Sequence, residues 1–168
     1  LAGCLRSASK RTGLKINTKE VDILQGGRGH DLLRKATRRT LILAVQRGRF
    51  DMVVASPPCN TFSRARGSNS QGPPQVRSKV HPRGFPWLSG PRARQVEDSN
   101  TLLDFTTDIL KAQLQRPSGL ALLEHPEDLG HAGKAGTPGS IWQLDEVRSL
   151  AQAPDVVTGA LRQSDWGT

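Results

Sequence analysis

Two prolines followed by a cysteine, Pro57, Pro58 and Cys59, form the segment of this chain with the most evident chemical potential. They sit in FDMVVASPPCNTFS, residues 50–63, directly after an apolar run with adjacent valines. Phe50–Ala55 fits a strand buried on both faces, as in the middle of a parallel sheet. Proline fixes its own φ and keeps the preceding residue extended, so the turn presents Cys59 at the strand's tip. A free cysteine is ordinarily a small core hydrophobe. One displayed in this way, with arginines following it, is placed to act as a thiolate nucleophile.

A second segment, GLALLEHPEDLG at residues 119–130, has the same build. Leu120–Leu123 is a short apolar run, and Glu124 stands at its end beside a proline. A carboxyl group held there can donate a proton, although a surface glutamate closing a strand is the ordinary reading. Asp22 and Asp31 form a third set. Asp22 follows Leu14–Val21, read as a short strand, and an acid there can accept hydrogen bonds from ribose hydroxyls. Either aspartate could equally cap the turn or helix that follows it.

The elements that must position these groups alternate. Thr40–Gly48 reads as a helix closed by glycine. From Asp98 onward, Leu102, Phe105, Ile109 and Ala112 follow the spacing of one helical face until Pro117 and Gly119 end it. Ser140–Ala151 reads as a further helix and Asp155–Leu161 as a last strand, whereas QSDWG at 163–167 matches no element. Strand, helix, strand order argues for an α/β fold with a parallel sheet and right-handed crossovers. The length suits one domain, and no internal repeat is visible.

Twenty-four Lys and Arg against 15 Asp and Glu give a formal charge of +9, which favours a polyanionic partner. No acid occurs between Asp51 and Glu97, while Arg64, Arg66, Arg77, Lys79, Arg83, Arg92 and Arg94 do. Residues 64–96 are rich in Gly, Pro and Arg and read as a basic loop insertion, either gripping phosphates or merely solvated. Two cysteines make no disulfide framework, and no apolar run is long enough for a membrane span or a signal peptide. An intracellular protein is expected, nuclear if the source is eukaryotic. The start at Leu1 suggests a piece of a longer chain.

Val53–Ser63 resembles the nucleophile motif of cytosine-C5 DNA methyltransferases, usually written Gly-Pro-Pro-Cys-Gln-x-Phe-Ser. The helix through Asn100–Leu110, Pro117 and then LALLEHP are similar to the helix and strand leading to that family's Glu-Asn-Val motif. The resemblance implies a three-layer, Rossmann-like methyltransferase domain over residues 1–168, partial in extent. It implies methyl transfer from S-adenosylmethionine to C5 of cytosine through a covalent adduct with Cys59, and Glu124 as the catalytic acid. Gly3, Glu20, Asp22, Asp31 and Pro57 would then hold the cofactor. Arg64, Arg66, Arg77, Lys79 and Arg83 would lie in the mobile loop that closes on DNA. No metal is implied, and a monomer acting on DNA, or RNA in its place, is expected. Asn60 stands for the family's Gln, His125-Pro126 for Asn-Val, and no Phe-x-Gly-x-Gly loop is present. Two other readings stay open: an inactive nucleic-acid-binding relative, and an amino-group (N6 or N4) methyltransferase. The latter's Ser-Pro-Pro motif needs an aromatic residue where Cys59 stands.

Overall fold

The computed structural model describes residues 2–63, 66, 72–128 and 137–160. These fall into two compact units, Leu1–Arg39 and Thr40–Thr168.

The first unit is helical. Helix α1 spans Ala2–Thr12, and a single turn, α2, spans Ile23–Gly26 before a 3-10 turn at Gly27–His30. The strand read at Leu14–Val21 does not form, since residues 13–22 adopt no regular structure. Its apolar residues are interrupted by Lys15, Asn17, Thr18, Lys19 and Glu20, and Leu14 is 65% exposed, so the segment has little apolar surface to bury. Asp22 instead caps α2, accepting from the Leu24 amide at 2.8 Å. Helix α3, Lys35–Gln46, starts in this unit and ends in the second. It begins five positions before the expected Thr40, and it buries Leu41 and Val45 one turn apart. Gly48, at φ +71°, closes it as the left-handed residue that a helix C-terminus favours.

The second unit is built on a strand–helix–strand unit. Strand β1, Met52–Ala55, pairs in parallel with β2, Leu120–Leu123, in the register Met52↔Leu120 through Ala55↔Leu123. Between them runs α4, Gly90–Leu114, which packs on both strands. Val96, Ser99, Leu103, Thr106, Leu110 and Gln113 are buried along it at three- and four-residue spacing, one continuous face. Residues 90–96, read as part of the basic loop, are therefore the first turns of a helix. Ser89 is its extended N-cap residue and Pro91 sits at its first positions, where a missing amide costs nothing. Arg92 and Arg94 conceal this start in a sequence scan because both point to solvent.

The sheet has two strands among the described residues. Met52 and Val54 of β1 and Leu120 and Leu122 of β2 are exposed, while the alternate positions are half-buried, and Leu123 packs on the core. The run FDMVVA is thus covered on one face rather than two. The fold is mixed α/β with a small parallel sheet. No strand forms over 155–160, where Val157 is 96% exposed, and Leu161 lies outside the described residues, as do 163–167. The helix expected over Ser140–Ala151 is broken at Leu144. A 3-10 turn, Ile141–Gln143, is capped by Ser140 with Gln143 reaching back, and α5, Asp145–Ala151, follows. Phe62, Leu103, Ile141, Leu144 and Val147 form the core that results.

No helix among the described residues is long and apolar enough to cross a membrane.

Candidate functional site at the ends of the paired strands

Because β1 and β2 are parallel and in register, the residues that leave them emerge side by side. The Glu124 amide donates to the Ala55 carbonyl at 2.9 Å, extending the ladder by one bond. The Ser56 hydroxyl donates to Oε2 of Glu124 at 2.5 Å. Cys59 follows three residues after Ser56, exposed and free. The fold therefore brings the Cys59 turn and Glu124 to the same end of adjacent strands, although 65 positions separate them in sequence. Ser56 was missed by sequence reasoning. Its only signal was its place at the strand's last step, opposite a carboxylate.

The turn bearing Cys59 is tied down immediately behind it. The Phe62 amide donates to the Cys59 carbonyl at 2.9 Å, and Phe62 is buried in the core. Thr61 is buried too, and its Oγ1 lies 2.9 Å from Ser99 Oγ of α4. Pro57 is half-buried in the same turn, and Pro58, Cys59 and Asn60 are exposed. The thiol is thus accessible while the backbone behind it is held. His125, next to Glu124, packs edge-on against Phe62 with ring centroids 5.4 Å apart. Its ring nitrogens are buried and make no well-aligned hydrogen bond, the Pro126 backbone being at best a weak partner. Burial holds the imidazole below its ordinary pKa, although the adjacent Pro126 backbone and the Glu124 carboxylate push the other way.

The basic residues are placed differently from the expectation of a free, phosphate-gripping loop. Arg77 is 1% exposed. Its Nε donates to Thr61 Oγ1 at 3.0 Å, Nη1 to Asn100 Oδ1 and to the Pro82 carbonyl at 2.8 Å each, and Nη2 to the Val96 carbonyl at 3.2 Å. Its guanidinium also lies 4.0 Å from the centre of the Phe62 ring. Burial, with Arg83 and Arg66 nearby, lowers its pKa to about 10, so it stays charged at neutral pH. Arg77 is an internal clamp on the Cys59 turn and is closed off from phosphate. Arg83 forms ion pairs with Asp104 and Glu146. Burial alone would lower its pKa, but the two carboxylates outweigh that and raise it. Arg66 donates to the carbonyls of Asn60 and Pro74 and to Gln95. Lys79 is exposed, and Arg64 lies outside the described residues. Among the described residues, the cations of this stretch thus divide into three that bond to other parts of the fold, Arg66, Arg77 and Arg83, and three that are exposed, Lys79, Arg92 and Arg94.

The residues expected to hold a cofactor do not make the expected arrangement. Gly3 lies within α1 rather than in a glycine loop, and a Cβ on it would meet nothing within 4 Å. Glu20 is exposed on irregular chain. Asp22 is committed to capping α2, and Oδ1 of Asp31 accepts from the Leu33 amide at 2.9 Å. The basis for a ribose-binding acid, a strand ending at Asp22, is absent. No cluster of three or more His, Cys, Asp or Glu able to hold a metal occurs among the described residues.

Comparison with protein-family models, with curated proteins and with solved structures returned no match.

Proposed function

We propose that the ends of β1 and β2 form a cytosine-activating site of the C5-methyltransferase kind, with Cys59 as nucleophile and Glu124 as acid. The observation that supports this reading is the in-register parallel pairing, which delivers Ser56-Pro57-Pro58-Cys59 and Glu124 to one edge. S-adenosylmethionine would supply the methyl group in that chemistry, but Gly3, Glu20, Asp22 and Asp31 do not fit it as a set, so no step is assigned to it.

The chain's own residues account for activation of the base. The Cys59 thiolate adds to C6 of cytosine, and the C5=C6 electron pair moves through the ring to N3, which takes the proton of the Glu124 carboxyl. The ring is then an enamine, nucleophilic at C5. If C5 takes a proton from water and loses its original hydrogen, elimination of the thiolate and return of the N3 proton to Glu124 regenerate both partners. Ser56, bonded to Oε2, fixes the carboxyl's rotamer and leaves Oε1 for N3. A base within a duplex cannot offer C6 to a side chain, so the substrate is an unstacked or flipped cytosine.

Release of tritium from [5-³H]cytosine in an oligonucleotide tests this without any methyl donor. The parent chain should release label, Cys59→Ala should release none, and Glu124→Gln should be slower by roughly 10²- to 10⁴-fold. A parent that binds the oligonucleotide yet exchanges nothing would refute activation and leave an inactive binder.

A further inference from the structure

We propose that His81, Phe85 and Trp87 form a stacking platform for single-stranded nucleic acid. This rests on the reading above and deepens it by naming the form of the substrate, and it uses other residues than Cys59 and Glu124. Phe85 and Trp87 are stacked, with ring centroids 4.8 Å apart and planes inclined by 8°. His81 meets both edge-on, at 6.0 Å and 5.5 Å. Phe85 is half-buried, while Trp87 is 69% exposed, so the indole is the outermost ring and its far face is open to solvent. Val80, the residue before His81, is 80% exposed.

The platform is pre-organised. The Phe85 amide donates to the carbonyl of fully buried Val76 at 3.0 Å, and Leu88 N–H donates to the Phe85 carbonyl at 3.2 Å. Ser78 and His81 exchange backbone bonds at 3.3 and 3.1 Å, and Gly84, at φ +113°, turns the chain between them and Phe85. Pro82 and Pro86 remove two further torsions. A Cβ on Gly84 would lie 2.5 Å from Val96 Cγ1, so the turn is seated directly on α4. The aromatic rings are held by this scaffold, and ordering them costs little when a ligand arrives.

Charge selects the ligand. The exposed cations of this stretch, Lys79, Arg92 and Arg94, flank the rings in sequence, and no acid occurs between Asp51 and Glu97. A further planar ring stacking on the indole, in a stretch whose exposed charges are all cationic, matches a nucleobase with its backbone phosphates. A duplex keeps its base faces covered, so only an unpaired strand can use the platform.

The test is fluorescence anisotropy of labelled oligonucleotides of about twelve nucleotides, as single-stranded DNA, as single-stranded RNA and as duplex DNA, with the full chain. Trp87→Ala should weaken single-strand binding roughly 5- to 150-fold, whereas Trp87→Phe should retain most of it. Duplex binding should hardly change, and the tighter of the two single-strand arms identifies the sugar. Cys59→Ala should bind like the parent, which separates this platform from the activation chemistry. Unchanged single-strand affinity in Trp87→Ala, or an equal loss on duplex, overturns the proposal. So does a loss of thermal stability or of self-association in Trp87→Ala with binding intact, because Trp87 would then be a cover for Phe85 or a contact between copies.

Discussion

Replacing Arg77 tests most directly whether the basic stretch is internal architecture or nucleic-acid interface. Arg77→Ala removes four hydrogen bonds, to Thr61, Asn100 and the carbonyls of Pro82 and Val96, together with the contact to the Phe62 ring. Each acceptor stranded away from water costs about 1–3 kcal/mol, and a desolvated cation–π contact contributes about 2 kcal/mol. Relief of the buried charge's own desolvation offsets several kcal/mol of that sum. Because all of these partners are neutral and no charge is left unpaired, the net expectation is a loss of about 3–5 kcal/mol, the upper range for breaking a buried hydrogen-bond network. For a chain of this length that corresponds to a fall in Tm of roughly 6–20 °C. Urea unfolding of parent and variant, with the m-value compared, measures it. A loss below about 1 kcal/mol refutes the clamp. So does unchanged stability accompanied by a salt dependence of DNA binding flattened by about one unit, which is the signature of a phosphate contact.

Two further outcomes follow from the same core. The folded state holds His125 below its ordinary pKa, so as pH falls through about 6.5 the unfolded chain takes up a proton first and stability declines until the folded value is passed. His125→Phe lacks this, and its unfolding free energy should fall less than the parent's between about pH 7.5 and 5; equal acid sensitivity would show that the imidazole is not the group responsible. Gly119→Ala would put a Cβ 1.9 Å from the Gln113 carbonyl oxygen, backbone that cannot rotate aside. It should cost about 1–3 kcal/mol by overpacking, read as a lower urea midpoint, and an unchanged midpoint would mean that the α4–β2 turn yields freely.

The two strands and the residues displayed at their tips were legible in the sequence. MVVA and LALL are compact apolar runs, each bounded by residues that end a strand, and such runs satisfy their backbone and bury their side chains best when paired. The C-terminal half of α4 was legible for a similar reason, since Leu102, Phe105 and Ile109 repeat at helical spacing. Its N-terminal half was not. Its residues Arg92, Arg94, Glu97 and Asp98 face solvent and carry no apolar period, and Pro91 and Gly90 read as loop until Ser89 is seen as a cap. Leu14–Val21 failed in the opposite sense, because a few apolar residues in a polar stretch resemble a strand only when a partner exists to pair with it.

Charge misled more than pattern did. Composition establishes that the chain is basic, but it says nothing about where a guanidinium points. Burying Arg77 requires acceptors from residues 61, 82, 96 and 100, and Arg83 needs carboxylates from α4 and α5. Those groups are dispersed in sequence and converge only when the helices pack. Sequence alone therefore determined that Cys59 and Glu124 follow short apolar strands. Tertiary structure decided which cations are spent inside the fold, because a buried charge is tolerated only where several distant partners arrive together.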